Sequence, residues 1–198
     1  FRAATVFLDI ETTGLSPVTD QVTTVAVYDG RAVTTVARDR DLDRLSRLLA
    51  DHDVVVTYNG KCFDAPFLAR GLGVHVPPVH LDLRYLARAV GLAGGLKAIE
   101  RRLGFSRGDL ADVDGMMAVW LWHDHRAGNP HALDTLLAYN VEDTTHLEAL
   151  MVEVYNRHLA AAGAPPSLRL PAPRLPPNPH HPHRPTLERL GASRVASW

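Results

Sequence analysis

The chain has 198 residues, 46% of them hydrophobic and 22% charged, and a formal net charge of −1. That is enough apolar material for one substantial core, while no run approaches the roughly 18 uncharged residues that span a bilayer, so a globular, cytoplasmic protein with no membrane partner is expected. The single cysteine, Cys62, excludes an intramolecular disulfide and a thiolate metal cluster, and the near-neutral charge argues against indiscriminate electrostatic coating of nucleic acid.

Residues 6–10 form a short apolar run broken only by Asp9 and closed by Thr12, Thr13, Gly14 and Pro17, the pattern of a buried strand entering a turn. Residues 22–28 and 32–36 are rich in β-branched side chains and flank Asp29-Gly30, a two-residue hairpin signal, so three antiparallel strands are expected. Leu42, Leu45, Leu48 and Leu49 then recur at helical spacing, and residues 54–58 read as a further strand ending at Asn59-Gly60. Pro66 suits the first turn of a helix that runs to about residue 72, because its missing N–H has no helical partner there. Helices are expected over 83–90, 96–103, 115–125 and 131–161. From Gly163 proline becomes dense, and proline supplies neither helix nor ladder hydrogen bonds. The expectation is a domain over 1–162 followed by an extended or disordered tail over 163–198, with His180, His181 and His183 decorating a flexible linker.

Asp9 and Glu11 stand two apart on a strand, where side chains share a face, so both carboxylates can converge on one hard divalent cation. The ordinary alternative is a solvated strand-end pair. The apolar residues on both sides of Asp9 favour the metal, because a buried carboxylate without a partner is costly. Asp64 opens a helix directly after a strand and could simply cap it. Tyr139 and Asp143 lie four apart on a helix and face the same side, although such a tyrosine is more often core than catalyst. Trp120, among Met116, Met117 and Val119, reads as core, whereas Tyr85 and Trp122 remain candidates for stacking on bases. His80 and Asp82 read as a strand-end pair that hydrogen-bonds locally, outside the catalytic set.

Together, Asp9-Ile10-Glu11-Thr12-Thr13-Gly14-Leu15, then Asn59 with Phe63-Asp64, then Tyr139 to Asp143, resemble the three motifs of the DEDD, or DnaQ-like, exonuclease superfamily. The order and the expected elements agree over roughly residues 5–150. Tyr139 four positions before Asp143, with Ala138 where the histidine variant needs histidine, resembles the DEDDy type. Gly95-Leu96-Lys97, Glu100 and Leu103-Gly104 resemble the YprB-like branch of predicted exonucleases.

The resemblance implies an α/β ribonuclease H-like fold: a mixed sheet, an antiparallel meander followed by parallel strands, flanked by helices. It implies 3′-to-5′ hydrolysis of terminal phosphodiesters in DNA or RNA, with single-stranded 3′ ends as the nucleic-acid partner. Two divalent ions, Mg²⁺ or Mn²⁺, are implied, one held by Asp9, Glu11 and Asp143 and a second placed by Asp9 and Asp64, with Tyr139 orienting the attacking water. Thr12, Thr13, Gly14 and Leu15 would line the terminal nucleotide, and Asn59 and Phe63 would border its pocket. Apart from the resemblance, Lys97 and Arg101 lie four apart on one helix face and could grip a phosphate, the ordinary alternative being exposed, solvated basic residues. The rival readings are an inactive nucleic-acid-binding module on the same fold and an endonuclease of the ribonuclease H-like group. Protein partners are not specified by any of these features.

Overall fold

A computed structural model describes residues 2–195, with side chains for residues 3–193. The first strand, β1 (Thr5–Thr12), is apolar on both faces because it is central, with a neighbour on each side and layers above and below. It pairs antiparallel with β2 (Val22–Tyr28), which pairs antiparallel with β3 (Val33–Ala37). The β2–β3 connection takes four residues, 29–32, rather than the two expected: the Asp29 carboxylate accepts the N–H groups of Arg31 and Ala32, both at 2.8 Å, and Gly30 supplies φ 84°.

After a helical turn and α1 (Leu45–Leu49), the chain re-enters the sheet as β4 (Val54–Thr57), parallel to β1. Helix α2 (Asp64–Leu72) then leads to β5 (Val79–Asp82), parallel to β4, which completes the sheet order β3-β2-β1-β4-β5. His80 and Asp82 suggest a strand end, without its extent over residues 79–82. Four residues behind two prolines carry too little pattern, and only the ladder with β4 makes them a strand. The remaining helices are α3 (Leu83–Ala89), α4 (Leu96–Leu103), α5 (Gly115–Arg126), α6 (Ala132–Ala161) and α7 (Arg184–Val195).

Alternation along β1 sorts the core. Val6, Leu8 and Ile10 pack with Leu45 and Leu49 of α1 and Phe67 and Leu68 of α2. Phe7 points the other way, into a cluster with Leu83, Ala87, Ile99 and Leu147 from α3, α4 and α6. Asp9 and Glu11 continue that second row, so the sheet's period of two turns both carboxylates toward α6. A third cluster joins α5, the first turns of α6, and Leu190 of α7, with Trp120 packed against it.

The tail departs from expectation. Residues 169–183 lack regular structure, but α7 follows, and the segment is docked rather than free. Asn156 of α6 clamps the main chain of Leu170 with two bonds of 2.9 Å, Asn178 donates to the Ala138 carbonyl at 2.8 Å, and His183 N–H donates to Thr135 Oγ1 at 2.9 Å. His180 is no linker ornament either: its ring bonds Asp134 at 2.7 Å and Thr35 at 3.0 Å. Proline density signals a lack of internal hydrogen bonds, and here side chains of the domain supply them. Residues 196–198 of the expected tail lie outside the described residues. Among the described residues no helix is long and apolar enough to cross a membrane.

Candidate active site

One carboxylate oxygen from each of Asp9, Glu11 and Asp143 lies within 4.8 Å of the other two. Strand β1 delivers the first two, and α6, laid across that face of the sheet, delivers Asp143 with Tyr139 one turn before it. Burial, then the charges of Asp143, Glu11 and Asp64, push the Asp9 carboxyl well above its ordinary range, against a hydrogen bond from Asn140. Burial and Asp143 do the same to Glu11, with Lys97 and Arg107 opposing. Asp9 and Glu11, desolvated and crowded, ionise together more readily where positive charge joins them, and an all-oxygen donor set of this kind fits a hard divalent cation.

Asp64 stands outside that close triad. It is buried at the start of α2, where the preceding residue provides no side-chain cap, and burial raises it to about 7 while main-chain N–H bonds and the Asp82 charge act in opposite directions. Its field reaches both Asp9 and Glu11. Tyr139 is buried beside the triad, and burial together with the charges of Asp143, Glu11 and Asp9 holds its hydroxyl well above the ordinary phenol range, so at neutral pH it is a hydrogen-bond donor, not a base.

Lys97 does not form the exposed pair with Arg101 that helical spacing suggests. Its Nζ is buried, makes no hydrogen bond among the described residues, and sits 4.3 Å from the centre of the Tyr139 ring. Burial pulls the ammonium below its usual range, with Asp143 and Glu11 working to retain the proton. Lys97 is therefore a cation at the edge of the carboxylates, over the Tyr139 ring and without a hydrogen-bond partner among the described residues.

The loop after β1 is tied from below. Asp20 accepts Ser16 N–H at 2.9 Å, and a Cβ on Gly14 would fall 2.6 Å from the Asp20 carboxylate, so a larger residue there would have to displace that carboxylate. Thr12 Oγ1 donates to the Gly14 carbonyl at 2.5 Å and Thr13 Oγ1 accepts Gln21 N–H at 3.0 Å. Leu15 is left 85% exposed beside them. Asn59 adopts φ 67°, its N–H donating to Asp82 at 2.8 Å and its side-chain oxygen accepting from Arg84 at 2.5 Å, while Phe63 is half-buried against Phe67. His80 bonds Thr57 at 2.8 Å, and Asp82 accepts the N–H groups of Asn59, Lys61 and Arg84, which is local bonding of both residues.

Three residues that the sequence reading did not single out for this site complete it. Asn140 donates to Asp9, and Arg107 pairs with Asp143 while Glu100 grips Arg107 from behind. Asn140 was visible inside the third motif, but nothing local shows that its amide turns to the sheet. Arg107 lies in the loop after α4 and has no motif at all.

A sequence-family model, described as the RNase H superfamily, matches residues 6–155. The chain belongs to the RNase H superfamily. No curated protein sequence matches it. Among solved structures of RNase H-like shape, Brucella melitensis NrnC is 22% identical, with a TM-score of 0.59 over 81% of this chain and 76% of that one. The Aedes aegypti Nibbler EXO domain is 14% identical, with a TM-score of 0.58 over 84% of each chain. Escherichia coli RNase D, an exoribonuclease involved in structured RNA processing, is 17% identical, with a TM-score of 0.56 over 81% of this chain and 41% of that one. NrnC has also been determined with bound Mg²⁺ and bound to pGG. At these identities the likeness establishes the RNase H-like fold.

Proposed function

We propose that the chain is a DEDDy-type, metal-dependent 3′-to-5′ exonuclease that hydrolyses the terminal phosphodiester of single-stranded DNA or RNA. The observation that carries this reading is the convergence of Asp9, Glu11 and Asp143 within 4.8 Å, next to the buried Tyr139. The fold shared with NrnC, which binds Mg²⁺ and pGG, and with the exoribonuclease RNase D supports it. So does α4, the helix of the YprB-like pattern, which sends Lys97 to the site and Glu100 to the arginine behind Asp143.

Asp9, Glu11 and Asp143 would hold one Mg²⁺ or Mn²⁺, and Asp9 with Asp64 a second. Bound there, the ions supply a nucleophile at neutral pH and charge stabilisation for the departing 3′ oxygen. Tyr139 donates its hydroxyl proton in a hydrogen bond that aligns the attacking water with the phosphorus. Lys97 holds a non-bridging phosphate oxygen, Thr12, Thr13 and Gly14 line the terminal sugar, Leu15 packs on its base, and Asn59 and Phe63 close the pocket's far side.

The test is time-resolved digestion of 5′-labelled single-stranded DNA and RNA with Mg²⁺ or Mn²⁺. A descending ladder is expected, reduced roughly 10³-fold or more by Asp9→Ala or Asp143→Ala and about tenfold to hundredfold by Tyr139→Phe. Cutting of a circular single strand would point to an endonuclease instead. Intact substrate despite measurable binding would point to an inactive module, and either result ends this proposal.

A further inference from the structure

Behind Asp143 lies a chain of buried charges that the proposed reaction does not use. The side chain of Glu100 is 1% exposed and that of Arg107 5%. Glu100 takes two of the three guanidinium nitrogens: Nε donates to Oε2, and Nη2 donates to Oε1 at 2.7 Å. The third, Nη1, contacts Asp143 Oδ1 as an ion pair, and neither of those two buried atoms makes a hydrogen bond among the described residues. In the other direction Glu100 Oε1 lies 3.1 Å from His146 Nδ1, and His146 Nε2 lies 3.2 Å from Glu142 Oε1. Signs alternate along the row Glu142, His146, Glu100, Arg107, Asp143.

We propose that Arg107, locked by the Glu100 fork, is a positioning residue that holds Asp143 by one oxygen and so sets the affinity of the metal site. This rests on the reading of Asp143 as a metal ligand. Two parallel bonds to Glu100 fix the plane of the guanidinium, so Nη1 has one fixed place beside the Asp143 carboxylate. The same fork offsets the guanidinium charge, so a divalent ion approaching Asp143 meets a neutralised pair instead of a bare cation. The desolvation of Arg107 and Glu100 makes this a poor device for stability alone, because a buried pair returns little over an apolar packing. Loss of a group that orients a ligand typically weakens metal binding about 10–100-fold.

The experiment is Mn²⁺ titration of the protein without nucleic acid, followed by calorimetry, for wild type, Arg107→Met, Arg107→Lys, Glu100→Gln and the Glu100→Gln/Arg107→Met double variant. Arg107→Met is expected to weaken Mn²⁺ binding about tenfold or more, with partial recovery in Arg107→Lys. Glu100→Gln weakens it as well, and the double variant is no worse than Arg107→Met, because Glu100 acts through Arg107. Unchanged or tighter binding in Arg107→Met overturns the proposal. So do fully additive losses in the double variant. If Arg107→Met does not fold, wild-type affinity in both Arg107→Lys and Glu100→Gln overturns it equally. A wild-type protein that binds no Mn²⁺ would defeat the metal-enzyme reading itself, a result distinct from wild-type binding that the variants leave unchanged.

Discussion

Asn140 joins strand, sheet neighbour and helix through one buried amide. Its Nδ2 donates to the Asp9 carbonyl at 3.1 Å and to Asp9 Oδ2 at 2.8 Å, while its Oδ1 accepts from Thr24 at 3.1 Å. Three directed bonds fix the Asp9 carboxylate relative to α6, and Asn140 itself is fully buried, so none can be replaced by water. Asn140→Ala is expected to cost about 1–3 kcal/mol of stability in urea unfolding. Asn140→Asp keeps the shape but sets another negative charge against Asp9. It is expected to hydrolyse the labelled oligonucleotide more slowly than Asn140→Ala, and a faster Asp variant would contradict this account. The pattern of Tyr139 and Asp143 is readable from local spacing, whereas the Asn140 bond spans 131 residues of chain. No local periodicity reports such a contact.

Helix α6 (Ala132–Ala161) is the element on which the site depends, and it buries polar side chains along with apolar ones. Thr144 and Thr145 satisfy their hydroxyls on the Asn140 and Val141 carbonyls, at 2.8 and 2.9 Å. His146 has no such main-chain partner. Burial alone would lower its pKa, but bonds to Glu100 and Glu142 and their charges push it up to about 9. A histidine raised above its unfolded value, about 6.5, contributes stability that is full below that pH and lost as pH rises through the folded value. Wild type should therefore lose more unfolding free energy than His146→Gln between about pH 7 and pH 10. Parallel pH profiles in denaturant titrations would show that the imidazolium is not held as the geometry requires. Element by element, the long amphipathic and β-branched segments were legible, because their periods are local. The short β5 showed only its end at His80 and Asp82, since its extent depends on the ladder with β4.

The tail makes the domain larger than its strands and helices up to Ala161 suggest. It runs back beside α6, passes Ala138 and Asp134, and ends with α7 on α5, where Leu190 packs with Leu121 and Leu133. Its anchor Asn178 bonds the carbonyl next to Tyr139, so the tail braces the helix that carries the site. Leu190→Ala is expected to cost about 2 kcal/mol, the low end for a leucine at the edge of a core. Limited proteolysis should then cut within residues 169–183 before the rest of the chain. Equal resistance in wild type and variant would mean that α7 does not hold the segment down.

By itself the sequence determined the strand that presents Asp9 and Glu11, the helix that sets Tyr139 one turn from Asp143, and the mixed α/β order, because periods of two and about 3.6 are written in neighbouring residues. Tertiary structure alone decided where isolated charges go. Lys97 turns inward over Tyr139, Arg107 reaches Asp143, and a proline-rich segment finds its hydrogen bonds on α6. Each of those outcomes is a meeting of distant groups in space withdrawn from water, where an unpaired charge or N–H is costly and its partner is chosen by packing rather than by sequence distance.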